Sequence, residues 1–144
     1  MLRLGIALLV GLLAGCSAKR IDPQVLSYPT EALRRLSAEA HAKDVLGFVT
    51  LPVQNTHSME PLIYGGDLLV VAPTPFAPGL DGRVIACRPQ WNPKLLEVHR
   101  IVAHDAYGYL VEGDNVDAEH PENKWRVTKD NYVGEIVGVY RLKG

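Results

Sequence analysis

The sequence predicts a small, mainly β domain that contains one short helix. Two features indicate this class: short apolar runs recur along the chain after Gly47, and turn-forming glycines and prolines separate these runs. A chain of 144 residues can hold one domain with a sizeable core, and the sequence contains no internal repeat. We therefore expect one site in one domain, formed by residues 47–144.

Residues 1–18 have the pattern of an export signal. Arg3 precedes the apolar run 4–14, and small residues follow this run. The end of the run, Leu13-Ala14-Gly15-Cys16, resembles the lipobox of bacterial lipoproteins, and that resemblance implies lipidation of Cys16. The alternative is an uncleaved signal anchor. Both alternatives place the domain outside the cytoplasm, on the periplasmic or cell-surface side, attached to a membrane through its N-terminus.

Residues 19–46 are predicted to form a tether followed by a short helix. Pro23 and Pro29 interrupt the first part, which we expect to lack regular structure. Thr30 can cap a helix that ends at about Lys43. An apolar stripe is expected to pack on the domain and a charged face to meet water. The stripe comprises Ala32, Leu33, Leu36 and Ala40, and the charged face comprises Glu31, Arg34, Arg35 and Glu39.

The apolar runs after Gly47 predict strands bounded by turn residues. These strands span 48–53, 68–71, 83–88, 96–104, 107–112 and 132–142. Since Cys16 belongs to the export signal, Cys87 is expected to be a small buried side chain without a disulfide partner in the domain.

Charge and residue spacing argue against several kinds of ligand. The formal net charge is -1 and no block of like charges is present, so we expect no nucleic-acid partner. No pair of histidines or cysteines has the short spacing typical of a metal site. We therefore expect neither a metal nor a cofactor.

The first motif that indicates chemistry surrounds Ser58. This serine follows Thr56-His57 and precedes Met59-Glu60-Pro61, and the turn Gly65-Gly66-Asp67 then leads into a predicted buried strand. A serine nucleophile needs a base within hydrogen-bond reach and donors for the oxyanion. The alternative is a turn serine that caps its own backbone. Met59 is expected to pack beneath the turn, and Asp67 to cap a turn.

Two further motifs offer a base and an acid. Strand alternation in Glu97-Val98-His99-Arg100-Ile101-Val102 places His99 on the same face as Glu97 and Ile101. Downstream, the predicted strand in 110–117 ends in Gly113-Asp114-Asn115, and Asp117 follows. An acid near an imidazole can hold its tautomer and stabilise its charged form. By itself, Gly-Asp-Asn is typical of a hairpin turn.

Together, Ser-Met-x-Pro with Gly-Asp, Val-His-Arg-Ile and Gly-Asp-Asn resemble the motifs of the type I signal peptidase superfamily, which also contains the self-cleaving repressor proteases. Bacterial signal peptidases have a lysine as base, whereas the archaeal and endoplasmic-reticulum type has a histidine, as this chain does. The resemblance covers roughly residues 49–140. It implies a fold of coiled, partly open β-sheets of the signal peptidase type.

The resemblance also implies roles for individual residues. Ser58 corresponds to the nucleophile and His99 to the general base. Asp117 is the preferred orienting acid, followed by Asp114, which could equally cap its turn. Thr56 stands where many bacterial members carry an oxyanion-binding hydroxyl, although a threonine is also suited to an extended segment.

One departure from the family leaves the acid open. In the endoplasmic-reticulum type the second aspartate follows Gly-Asp-Asn by a few more residues than Asp117 does, and Glu119 and Glu122 occupy the nearby positions. His57 lies next to the serine in a segment that we expect to be extended, so its side chain is expected to point away from the serine hydroxyl.

The expected function is that of a membrane-tethered serine endopeptidase that cleaves exported precursor proteins through an acyl-enzyme. Its protein substrate would bind as an added extended strand. The alternatives are a non-catalytic lipoprotein that uses the same fold for binding or assembly, and a self-cleaving regulator. A histidine base with an ordinary pKa predicts that activity falls below about pH 6.5.

Overall fold

The structure, a computed structural model, describes residues 18–115 and 125–144. Cys16 and Asp117 lie outside the described residues, as does nearly all of the predicted export signal. The strands are β1 (Gln24–Tyr28), β2 (Phe48–Val49), β3 (Leu68–Ala72), β4 (Val84–Cys87), β5 (Glu97–Asp105), β6 (Gly108–Glu112), β7 (Trp125–Val127) and β8 (Tyr132–Leu142), and helix α1 spans Glu31–Asp44.

The strands form a sheet in the order β2-β3-β8-β4-β5-β6-β7, in which neighbouring strands are antiparallel. The long strand β8 lies at its centre. One side of β8 pairs with β3, and the other side pairs first with β4 and then, in parallel, with β1. In the described part of the chain the sheet is open, with β2 and β7 at the ends of the strand order. The prediction of a mainly β domain with an open sheet is thus confirmed.

Strand β3 is buried along its whole length, as its uninterrupted apolar run predicts. Leu68 and Val70 pack with α1, whereas Leu69 and Val71 belong to a cluster on the opposite face of the strand. That second cluster also contains Met59, Ile63, Val84, Ala86, Ile136 and Val139. A third cluster, which includes Ile85, Cys87, Ile101, Tyr109, Val111 and Val127, lies between β4, β5, β6 and β7.

Helix α1 begins where the sequence predicts. The Oγ1 of Thr30 accepts a hydrogen bond from the N–H of Leu33 at 3.3 Å, as an N-cap residue does. The predicted packing face is wrong. Arg34, Ala38 and Ala42 are buried, whereas Leu36 is 63% exposed. In the described residues, no helix is long and apolar enough to cross a membrane.

The packing of α1 on the sheet explains its buried face. Small side chains let the helix approach closely: a Cβ on Gly138 of β8 would lie 2.9 Å from the Nδ1 of His41. His41 Nδ1 is also 2.8 Å from the hydroxyl of Tyr140. The buried Arg34 donates a hydrogen bond to the carbonyl of Gly66 at 2.7 Å. This bond compensates in part for the cost of burying the guanidinium.

The segment before the helix differs from the predicted tether. Gln24–Tyr28 forms β1 and pairs with residues 138–142 of β8. The flanking prolines allow this, because proline is tolerated beside or at the start of an edge strand. The prediction that residues 19–29 lack regular structure is therefore wrong for Gln24–Tyr28.

Candidate active site

Ser58, Thr56 and His99 line the same open groove, which has a volume of about 1300 Å³. Ser58 and Thr56 belong to the segment between β2 and β3, and His99 lies on β5. The fold therefore brings the predicted nucleophile and the predicted base to one cavity. The floor and rim of this groove are largely apolar and include Val53, Leu69, Leu96 and Val98.

The turn that carries Ser58 is anchored in the core by the residue that follows. Met59 is buried against β3 and β4 in the cluster that contains Ile63. The carbonyl of Met59 accepts hydrogen bonds from the N–H groups of Leu62 and Ile63, each at 3.0 Å. The prediction that Met59 packs beneath the turn is confirmed, and the serine itself stays at the groove.

The next turn is held by Asp67. Its Oδ2 accepts a hydrogen bond from the N–H of Tyr64 at 2.9 Å, which confirms the predicted capping role. Its ion-pair partner, Arg141, is 74 residues away in the sequence, so no local motif predicts the pairing. Arg141 Nη2 donates to Asp67 Oδ2 at 2.6 Å and to the carbonyl of Leu62 at 3.0 Å. This arginine on β8 thereby fixes the segment between Ser58 and β3 to the sheet.

The Thr56 hydroxyl lies close to Ser58, as a role at the oxyanion requires, whereas the backbone of His57 does not have the predicted extended conformation. The Oγ1 of Thr56 lies 3.3 Å from the Oγ of Ser58, within hydrogen-bond distance. His57 is not extended: its φ is 61°, in the left-handed region, and its Nδ1 lies 2.7 Å from the Oε1 of Glu60. Such backbone conformations cost energy in residues other than glycine and often occur at functional turns.

Asn115 makes two hydrogen bonds to the Ser58 turn. Its backbone N–H donates to the carbonyl of Ser58 at 2.9 Å. Its side-chain Nδ2 donates to the carbonyl of His57 at 3.1 Å. The Gly-Asp-Asn motif therefore supports the turn of the predicted nucleophile directly, a role of this asparagine that the sequence motif alone does not predict.

His99 is buried on β5, where it pairs with Ile85 of β4. Burial lowers the pKa of His99 from 6.5 to about 4, although the charges of Asp114 and Glu112 partly oppose this shift. The imidazole is consequently neutral at physiological pH, the state that a general base requires. The imidazole and the Trp125 ring are steeply tilted to each other, at 74°, with a centroid distance of 6.2 Å.

Two carboxylates of the motifs lie in different surroundings. Glu97 shares the groove with His99, and its Oε2 is 3.9 Å from Nδ1 of the imidazole, too far for a hydrogen bond. Asp114 instead accepts two hydrogen bonds from Arg100, from Nε and from Nη2, each at 2.7 Å. Its second partner is Arg20. The structure thus places Asp114 in an ion pair beside the site.

In the described ranges 18–115 and 125–144, no three His, Cys, Asp or Glu side chains converge in a group that could hold a metal ion. Cys87 is buried and unpaired, and burial raises the pKa of its thiol. The groove is lined by the Ser58 and Thr56 hydroxyls and by the His99 imidazole. The chain matches no family model, no curated protein and no solved structure, so its resemblance to the type I signal peptidases stays a prediction from the motifs.

Proposed function

We propose that this chain is a membrane-tethered serine endopeptidase of the signal peptidase type. The observation that carries the proposal is that Ser58, Thr56 and the buried His99 all line one groove. Membrane attachment rests on the sequence pattern of residues 1–18 alone.

In this mechanism the neutral imidazole of His99 takes the proton from the Oγ of Ser58 as that oxygen attacks a peptide carbonyl. The Thr56 hydroxyl and the backbone N–H of Ser58 stabilise the oxyanion. The imidazolium then gives its proton to the leaving amine, and the acyl-enzyme remains. Water attacks the ester while His99 takes its proton, which releases the new carboxyl end and restores Ser58.

The low pKa of His99 has two opposite effects on this chemistry. It keeps the base neutral over a wide pH range, but a base with a pKa of about 4 accepts a proton less readily. The charges of Asp114 and Glu112 raise this pKa and so limit the second effect, and the value of about 4 already includes their contribution. Asp117 is the further acid that the motifs propose for orienting the ring.

The groove suits an extended peptide. Its apolar floor can accept small side chains, and β2 lies at the end of the strand order, where a substrate strand could be added. Exported precursor proteins are the substrate class that the motif resemblance favours. No cofactor takes part in the proposed reaction.

The test compares peptide-library cleavage by the full chain with cleavage by Ser58→Ala and His99→Gln variants. Each substitution is expected to lower kcat by at least about 10³-fold, as loss of a nucleophile or base does. Ser27→Ala and His104→Gln are matched controls, since both side chains are exposed and lie outside the groove, and each should retain activity within about twofold.

Labelling of Ser58 by a serine-directed fluorophosphonate gives a second measurement that needs no substrate. A folded wild type that neither cleaves peptides nor reacts with the probe would contradict the peptidase and favour the non-catalytic lipoprotein. Cleavage of the protein by itself, detected as a decrease in its mass and abolished by Ser58→Ala, would instead identify a self-cleaving regulator.

A further inference from the structure

Residues 19–22, the docked segment, pack against the turn before β4. The N–H of Ile21 donates to the carbonyl of Gly82 at 3.0 Å, and Ile21 forms a parallel bridge with Arg83. Gly82 has a φ of 81°, and a Cβ at this position would lie 2.0 Å from the carbonyl oxygen of Lys19. The backbone of the domain is thus shaped to receive this segment, because only glycine permits so close an approach.

Two side chains of the docked segment extend a buried ion pair. Arg20 Nη2 lies 2.6 Å from Asp114 Oδ2, and Arg100 Nη2 lies 2.6 Å from Asp22 Oδ1. The side chains of Arg20 and Asp22 are 58% and 54% exposed, whereas those of Asp114 and Arg100 are 4% and 5% exposed. A buried charge depends strongly on its partners, since removal of one leaves its charge less well compensated.

The two members of this ion pair are each next in sequence to a residue of the candidate site or of its support. Arg100 directly follows His99 on β5. Asp114 directly precedes Asn115, whose N–H and side chain donate to the carbonyls of Ser58 and His57 at 2.9 and 3.1 Å. A change in the position of Asp114 is therefore passed to the Ser58 turn through a single peptide unit.

We propose that docking of residues 19–22 positions the Ser58 turn relative to His99, so that the site is complete only when this segment is in place. Arg100, Asp114 and Asn115 are the positioning residues. The predicted effect on catalysis rests on the proposed peptidase function, whereas the predicted effect on the turn does not.

The test uses the full chain and the double variant Arg20→Ala/Asp22→Asn. Both side chains are more than half exposed, so the domain is expected to stay folded, while Arg100 and Asp114 each lose a partner. Amide hydrogen exchange is measured at Asn115 and over residues 57–63. We expect the Asn115 amide, which donates to Ser58, to exchange about tenfold faster in the variant.

A charge-preserving variant, Arg20→Lys/Asp22→Glu, is the matched control, and it should restore protection of Asn115 to within about twofold of the wild type. Arg35→Ala/Asp130→Asn, which changes two exposed residues elsewhere, should leave exchange at Asn115 unchanged. Unchanged exchange at Asn115 and residues 57–63 in Arg20→Ala/Asp22→Asn would overturn the proposal.

The rate of fluorophosphonate labelling at Ser58, measured on the same samples, separates this inference from the proposed function. Faster exchange with slower labelling supports both. Faster exchange in the double variant, with a wild type that neither cleaves peptides nor reacts with the probe, supports the coupling and contradicts the peptidase. The coupling alone is overturned if the wild type is labelled and the double variant shows the same exchange and the same labelling rate as the wild type.

Discussion

The Oγ1 of Thr56 lies 3.3 Å from the Oγ of Ser58, and both hydroxyls line the groove that contains His99. A hydroxyl at this distance can donate to the serine oxygen in the resting state and to a developing oxyanion beside it during the reaction. The side chain of Thr56 is therefore a candidate for transition-state stabilisation rather than only a residue of the connecting segment.

Replacement of Thr56 tests this role. Thr56→Val keeps the shape but removes the donor, and we expect kcat to fall about 10²- to 10³-fold with KM nearly unchanged, because the lost hydrogen bond forms only in the transition state. Thr56→Ser retains the hydroxyl and should keep most of the activity. Steady-state kinetics on one peptide suffices, and a fully active Thr56→Val would show that the hydroxyl contributes nothing to catalysis.

The burial of His99 changes the pH dependence expected from the sequence. With its pKa lowered to about 4, the imidazole remains neutral, and hence competent as a base, well below the ordinary value of 6.5. We expect the acidic limb of kcat/KM to lie near pH 4. Trp125→Ala should expose the ring and move this limb to higher pH, since weaker desolvation raises the pKa. A wild-type limb near pH 6.5 would contradict the buried, neutral base.

The same shift predicts how stability depends on pH. Between pH 6.5 and about 4 the imidazole is protonated in the unfolded chain but neutral in the folded one, so the unfolded state binds more protons. Acidification through this window is expected to lower the free energy of unfolding by up to about 3 kcal/mol. Urea unfolding at several pH values measures this change. His99→Gln should show a shallower pH dependence, and an identical slope in both proteins would exclude His99 as its source.

Asp114 is expected to contribute to stability in addition to its proposed role in positioning the Ser58 turn. Its carboxylate is buried and paired with Arg100, so Asp114→Asn leaves a buried guanidinium less well compensated and should cost about 3–5 kcal/mol in urea unfolding. Its negative charge also raises the pKa of His99, so the acidic limb should move to lower pH in this variant. Asp117→Asn, in contrast, should reduce kcat if Asp117 orients the imidazole. Unchanged stability in Asp114→Asn would contradict the contribution of this buried ion pair.

The strands were predictable where an apolar run alone decides burial. The predicted strand 132–142 coincides with β8, and the prediction for 68–71 differs from β3 only by Ala72. The three residues of β7 are too few to produce a recognisable pattern. Strand β1 was missed because Pro23 and Pro29 predict an interruption, and its pairing with β8 is a tertiary contact that the local sequence does not encode.

The site was predictable only in its residue types. The motifs identified Ser58 and His99, and the fold brings both to one groove. The partners of Asp114 and Asp67 are arginines distant in the sequence, so no local spacing could reveal them. The pKa of His99 likewise depends on burial, which alternation along one strand does not determine.

Helix α1 provides the sharpest test of the fold itself, because the leucine stripe and the buried face predict opposite results. The stripe implies that Leu36 supports the core, yet this side chain is 63% exposed, whereas Ala38 is completely buried against the sheet. We therefore expect Leu36→Gln to change the free energy of unfolding by less than about 0.5 kcal/mol. Ala38→Leu should cost about 1–3 kcal/mol, because the helix has no room for a larger side chain at this contact. Urea unfolding of both variants decides the matter: a larger loss for Leu36→Gln than for Ala38→Leu would mean that the helix packs through its leucines.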